Sequence, residues 1–296
     1  MRLRGTVVAL ASALVACSGA GVAAESLMLD IHGLGFSADG KTVLVATHTG
    51  LVGYEAGRWR SAEGPRHDLM GFAATARALY TSGHPSAGAG LINPLGLMKS
   101  TDGGKSWKKL GLEGAADFHL SAASWGTGAV LVFSPVANAR MPSPGLYLTE
   151  NDGFMWRRLA GKGLDGGPTS LAVHPADART LAVGTKAGLF LSTDGGERFR
   201  RLAGGAQVTS VAFAVDGKSL WYGGYAGKPT LARIELPAGA ETGVALPRLD
   251  EDAVSNIAHH PRDANTHALA TFRRNVYLSQ DGGKTWRLLA EAGVPK

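Results

Sequence analysis

The chain has 296 residues, of which 42 are glycine and 13 proline; apolar residues make up 45% and charged residues 18%, for a formal net charge of +6. That apolar share excludes a disordered chain, and so much glycine and proline excludes a helical bundle. The basic residues are scattered, as at Lys108, Lys109, Arg157, Arg158, Arg200 and Arg201, with no block of like charge, which argues against a nucleic-acid partner.

The first segment reads as a targeting signal. Arg2 and Arg4 precede the apolar run "GTVVALASALVA" (5–16), too short to span a bilayer and suited to the core of a signal peptide. It ends in "LVAC" (14–17), and Cys17 is the single cysteine, so no internal disulfide can form. The pattern resembles the lipobox of bacterial lipoproteins, which implies removal of residues 1–16, lipidation of Cys17 and a membrane contact through the lipid anchor alone. Cleavage after "VAA" (22–24) is the alternative, giving a soluble periplasmic or secreted protein. Removing residues 1–16 takes away two arginines and no acid and leaves a net charge of +4. A linker is expected over 17–29, one β domain over 30–290 and a tail over 291–296.

The domain is written as a repeat of about forty residues. Each unit has a short apolar strand ("TSLAVHP", 169–175), a tight turn ("HPADA", 174–178), a second strand ("TLAVGT", 180–185), a third ("GLFLS", 188–192), an Asp-Gly turn and a fourth strand. Alternating apolar residues and Asp-Gly turns are hairpin signals, and four short antiparallel strands per unit predict a β-propeller blade. Six blades are expected, at 30–60, 66–110, 116–159, 167–202, 207–248 and 253–289. How the ring is sealed stays open at this point.

The turn before the fourth strand recurs as "STDGGKSW" (100–107), "TENDGFMW" (149–156), "STDGGERF" (192–199) and "SQDGGKTW" (279–286). It resembles the Asp-box, or bacterial neuraminidase repeat, in all four copies, with Phe199 for Trp in one and Thr149, Asn151 in another. The resemblance implies a propeller like those of sialidases, sortilin-type receptors and photosystem II assembly factors. The physical reading is structural: Asp102, Asp194 and Asp281 accept backbone N–H groups in the turn, and Trp107, Trp156 and Trp286 bury a ring between blades. One active site has no use for four copies.

A propeller puts its strand one–two and three–four turns on one face and the remaining loops on the other. His174, His259, His260 and His267 fall with the Asp-boxes, where "HP" reads as turn chemistry. His32, His67 and His119 open innermost strands and His48 and His84 end second strands, so all five are expected on the opposite face. Long loops at 82–97 and 134–145 lie there too. With Asp30, Asp68, Asp117 and Met70 close by in sequence, His32, His48, His67, His84, His119 and Met141 are the expected metal ligands. Imidazole suits transition metals and a thioether favours copper(I), which makes copper the first cofactor expected. A metal-handling protein partner in the cell envelope is the related alternative.

A sialidase is not expected, because the Arg-Ile-Pro signature and an evident Tyr–Glu pair are missing. No nucleophile elbow is present, and no catalytic residue is assigned. If the chain is a glycosidase, Asp250, Asp252 and Asp68 are the candidate carboxylates, with a glycan as ligand. "HGLGFSADG", "HDLMGF", "SGHP", "NPLGL" and "ARMPSPGLY" resemble stretches of exported bacterial proteins described as sialidase-like or glycosyl hydrolase-like, without a demonstrated reaction. The expectation is an exported, envelope-anchored binding propeller, with glycan binding or cleavage and a protein-binding assembly scaffold as alternatives.

Overall fold

A computed structural model describes residues 27–237 and 239–296. The proposed signal peptide, Cys17 and the first part of the linker lie outside the described residues. The described chain is all-β. Blade one holds β1 (Gly33–Phe36), β2 (Val43–Thr47), β3 (Gly50–Glu55) and β4 (Arg58–Ser61); blade two holds β5 (Asp68–Ala74), β6 (Leu79–His84), β7 (Leu97–Ser100) and β8 (Lys108–Gly111). Blade three holds β9 (Ser121–Ala123), β10 (Val130–Ser134), β11 (Gly145–Thr149) and β12 (Arg157–Arg158); blade four holds β13 (Pro168–Val173), β14 (Leu181–Thr185), β15 (Gly188–Ser192) and β16 (Arg200–Gly204). Blade five holds β17 (Gln207–Phe213), β18 (Ser219–Tyr225), β19 (Pro229–Glu235) and β20 (Glu241–Gly243); blade six holds β21 (Val254–His259), β22 (His267–Thr271), β23 (Val276–Ser279), β24 (Arg287–Glu291) and β25 (Val294–Pro295). Strands pair in chain order within each sheet, which makes a six-bladed propeller.

Second and third strands are apolar on both faces because each blade is packed on both sides. β2, β14 and β22 are buried throughout, while fourth strands such as β4, β8 and β12 carry exposed arginines and lysines. Core clusters form between neighbouring blades, as with Leu131, Leu148, Leu181 and Phe190 between blades three and four.

The four Asp-box turns are built alike. Ser100 Oγ accepts Gly104 N–H at 2.8 Å and donates to Asp102 Oδ1 at 2.7 Å, and Asp102 in turn accepts Ser106 N–H at 3.0 Å. These hydrogen bonds hold the Asp102, Asp194 and Asp281 carboxyls below the usual carboxylate range. In the divergent copy Asn151 Oδ1 takes the same place and accepts Met155 N–H at 2.9 Å. Asp152, freed from the turn, instead accepts Tyr80 Oη–H at 2.8 Å and Lys99 Nζ at 2.7 Å across the gap to blade two. Trp107, Trp156 and Trp286 pack against three different inter-blade clusters, and Phe199 is buried in a fourth. The turns are fastenings, as the sequence predicts.

The ring is sealed without exchange of strands. Met28 is fully buried between blades one and six, and Leu27 and Met28 N–H both donate to Gly293 O. Trp59 Nε1 donates to Leu289 O at 2.9 Å and Arg287 Nη1 to Tyr54 Oη at 2.8 Å. The expected tail over 291–296 is instead part of blade six. Its residues turn back and form β25 on β24, and the Gly293 carbonyl at the turn receives the N-terminal segment.

Candidate metal centre at the channel mouth

The first strands of the blades surround a central channel with a cavity of about 240 Å³, and His32 and His119 line it. Around its mouth the backbone places two sets of candidate ligands. His32 N–H donates to Ala46 O at 2.9 Å, which pins it beside the β2–β3 turn that carries His48. The two rings meet edge to face, with centroids 4.5 Å apart. Asp30 is two residues before His32, and Asp68 is the first residue of β5 in the next blade.

The second set is anchored by Phe118, which is fully buried and whose N–H donates to Ser82 Oγ at 3.0 Å. That places Asp117 and His119, on either side of it, against the end of β6 where His84 sits. The approach is close: a Cβ on Gly71 would come within 2.1 Å of Phe118 O, so only glycine fits there.

Asp30, His32 and His48 thus bring three ligand atoms within 4.8 Å of one another, and His84, Asp117 and His119 do the same. The outer nitrogens of His48 and His84 are already held. His48 Nδ1 lies 3.0 Å from Asp68 Oδ2, and His84 Nδ1 lies 2.7 Å from Asn93 Oδ1. The other nitrogen of each ring, Nε2, faces a carboxylate: His48 to Asp30 Oδ2 at 3.4 Å, and His84 to Asp117 Oδ2 at 3.4 Å. His119 Nε2 is 2.7 Å from the same Asp117 oxygen. Burial holds the His32 imidazole below its ordinary range, with Asp30 opposing this and His48 adding to it. Three buried atoms here have no hydrogen-bond partner: His32 Nε2, Asp68 Oδ1 and Asp117 Oδ1.

Two expected ligands are elsewhere. Met141 is fully buried in the core of blades two and three, with Tyr80, Leu97, Phe118 and Val132, so its thioether is committed to packing. His67 is buried below the rim, where its Nδ1 accepts Ser86 N–H at 3.1 Å and fastens the 82–97 loop; burial lowers its pKa. The expectation of one site drawing on five histidines becomes two groups with two histidines each. Asn93 was missed by sequence reasoning. Its cue is its position in the loop that follows His84, but nothing in "LINPLG" marks a histidine partner.

The glycosidase carboxylates also differ from expectation. Asp252 is buried and fully used: it accepts Ala253 N–H at 2.8 Å, Arg273 N–H at 3.1 Å and Asn275 Nδ2 at 3.2 Å, tying the β22–β23 turn to the start of β21. Asp250 is exposed and pairs with Arg248 at 2.9 Å, two residues away. Asp68 lies at the rim, occupied by His48. His174, His259, His260 and His267 stand apart from the rim groups, in turns and strand ends on the Asp-box side.

Comparison with known proteins agrees with the fold. The family model described as BNR/Asp-box repeat matches residues 98–109 and 277–288. The chain carries Asp-box repeats. A probable oligoxyloglucan-reducing end-specific xyloglucanase from Neosartorya fischeri is 26% identical over 217 residues, covering 68% of this chain. The chain spans only 25% of that relative's length. Among solved structures, a GH74 enzyme from Niastella koreensis superposes with a TM-score of 0.60 at 17% identity, over 88% of this chain and 45% of the enzyme. YCF48 bound to D1 peptide gives 0.52 at 18% identity, over 90% and 82%. Hydrazine synthase of Kuenenia stuttgartiensis gives 0.54 at 13% identity, over 88% and 79%. At these identities the likeness is one of fold.

Proposed function

We propose that this is an exported, envelope-anchored propeller that binds a divalent transition metal at the mouth of its central channel. One observation carries the reading: His48 and His84 each turn an imidazole nitrogen to a carboxylate oxygen at 3.4 Å while the other nitrogen is held by an oxygen. Each nitrogen–carboxylate pair is spaced as two ligands of one cation would be. Metal–ligand bonds of about 2.0–2.1 Å in a tetrahedral site set ligand atoms about 3.3–3.4 Å apart. The unpartnered His32 Nε2, Asp68 Oδ1 and Asp117 Oδ1 support the same reading, since buried polar atoms are normally paired.

The donors are imidazole and carboxylate. With Met141 in the core, the case for copper(I) has no thioether to rest on, and the set suits copper(II) or zinc. Copper(II) is the tighter binder of divalent first-row ions at such a site. The test is elemental analysis after loading with copper(II) or zinc and gel filtration. Stoichiometric metal in the native chain and less in His32→Ala are expected; no retained metal sinks the reading. The match to a xyloglucanase supports a second one, binding or cleavage of a glycan at this rim. Hydrolysis of xyloglucan oligosaccharides that is lost in Asp68→Asn would favour it instead.

A further inference from the structure

We infer that the mouth holds two ions rather than one, each in its own two-histidine, one-carboxylate set, and that Asp68 and Asn93 are the positioning residues of the two sets. The inference rests on the metal reading above and deepens it.

The sets are separate in the fold. Asp30, His32 and His48 all come from blade one. His84 ends β6 of blade two, and Asp117 and His119 belong to the segment that leads into β9 of blade three. The ligand atoms cluster within 4.8 Å inside each set, and no single cluster joins the two. They are nevertheless neighbours, because His32 and His119 both line the one channel.

The two sets also share one internal logic although they come from unrelated stretches of sequence. In each, one histidine ligand has its Nδ1 held by an oxygen from outside the set, Asp68 Oδ2 for His48 and Asn93 Oδ1 for His84. In each, the Nε2 of that ring lies 3.4 Å from the carboxylate of the set. A hydrogen bond to the outer nitrogen fixes tautomer and ring orientation, the usual arrangement behind a metal-bound histidine. The outer partners differ in charge. Asp68 makes the His48 nitrogen the more basic donor, whereas the neutral Asn93 orients His84 without adding charge. The blade-one set is therefore the tighter of the two. Three protein ligands leave at least one coordination position open in each set.

The experiment is calorimetric titration of the metal-free chain with zinc chloride, with metal content checked after gel filtration. The native chain is expected to take two equivalents in two phases. His48→Ala and His84→Ala are each expected to keep one equivalent, and the double variant none. Asp68→Asn and Asn93→Ala are expected to retain both equivalents and to weaken only their own phase, by roughly 10–100-fold. Asn93→Ala, at an exposed loop residue, also guards against loss of binding through misfolding. One equivalent in the native chain, abolished by either histidine substitution, would mean a single mixed site and overturn the inference while leaving the metal reading intact. No uptake by the native chain would overturn both. Weakening of both phases by Asn93→Ala would overturn its assigned role.

Discussion

His259 and His267 face each other across the β21–β22 pair with their Nδ1 atoms 2.9 Å apart, and Trp221 packs on both rings at centroid distances of 5.2 and 4.4 Å. One Nδ1 donates and the other accepts, so at most one of the two rings can carry a charge. Burial pushes both imidazoles well below their ordinary range; His267 adds to this at His259, and at His267 Arg233 adds while Asp263 opposes. The unfolded chain thus binds protons that the folded chain refuses. The stability this pair contributes is complete above about pH 6.5 and drains as the pH falls toward the folded values. Melting temperature is therefore expected to drop from pH 6.5 to pH 5, with a slope of up to about 1.4 kcal/mol per pH unit for each imidazole. His267→Asn should flatten that slope. An unchanged slope in the variant would show that other groups, such as the buried His67, set the acid sensitivity.

Single elements show what holds blade to blade. His174, in the β13–β14 turn, lies over the β17–β18 turn of the next blade. Its Nε2 is 3.2 Å from Gly217 O and its ring stands edge to face on Phe213 at 5.3 Å. His260 in blade six repeats this against Gly40 and Phe36 of blade one, so the same latch helps close the ring. Gly217 has φ of +72° and a Cβ there would come within 2.3 Å of His174 Nε2. Gly217→Ala should therefore destabilise by about 1–3 kcal/mol, the backbone strain and the displaced ring acting together. Chemical denaturation gives the value, and a loss under about 0.5 kcal/mol, the range of ordinary surface changes, would dismiss the latch. The sequence shows half of this device. "HP" and "DGK" mark the turns, because proline and glycine leave local signatures. The contact between blades has no local signature, since it depends on where closing the ring brings two turns together. Met141 and His67 were misplaced for the same reason: a loop address locates Cα, whereas burial of the side chain is decided by neighbours. The fold itself was legible because its pattern is written four times. The rim histidines were legible as a face, and their division into two groups was not.

At the scale of the whole molecule, scaffold and site divide between the two faces. The Ser and Asp oxygens of the Asp-boxes are paired within each turn, and at the rim His32 Nε2, Asp68 Oδ1 and Asp117 Oδ1 have no partner. An unpaired buried polar atom costs about 1–3 kcal/mol, so the rim weakens the metal-free fold. Two substitutions should then behave oppositely. Leu131→Ala, in the core between blades three and four, should cost about 2–5 kcal/mol in metal-free protein. It should leave the gain in melting temperature on adding zinc intact. The double variant His48→Ala, His84→Ala, at two partly exposed rim rings, should lose far less stability without metal than Leu131→Ala, yet gain nothing from zinc. An ion at a hundred times its dissociation constant adds about 2.7 kcal/mol per site, a rise of several degrees for a domain this size. If the double variant melts as early as Leu131→Ala without metal, these histidines are structural members of the propeller. If it melts like the native chain and ignores zinc, the fold tolerates the rim for the sake of what the rim binds.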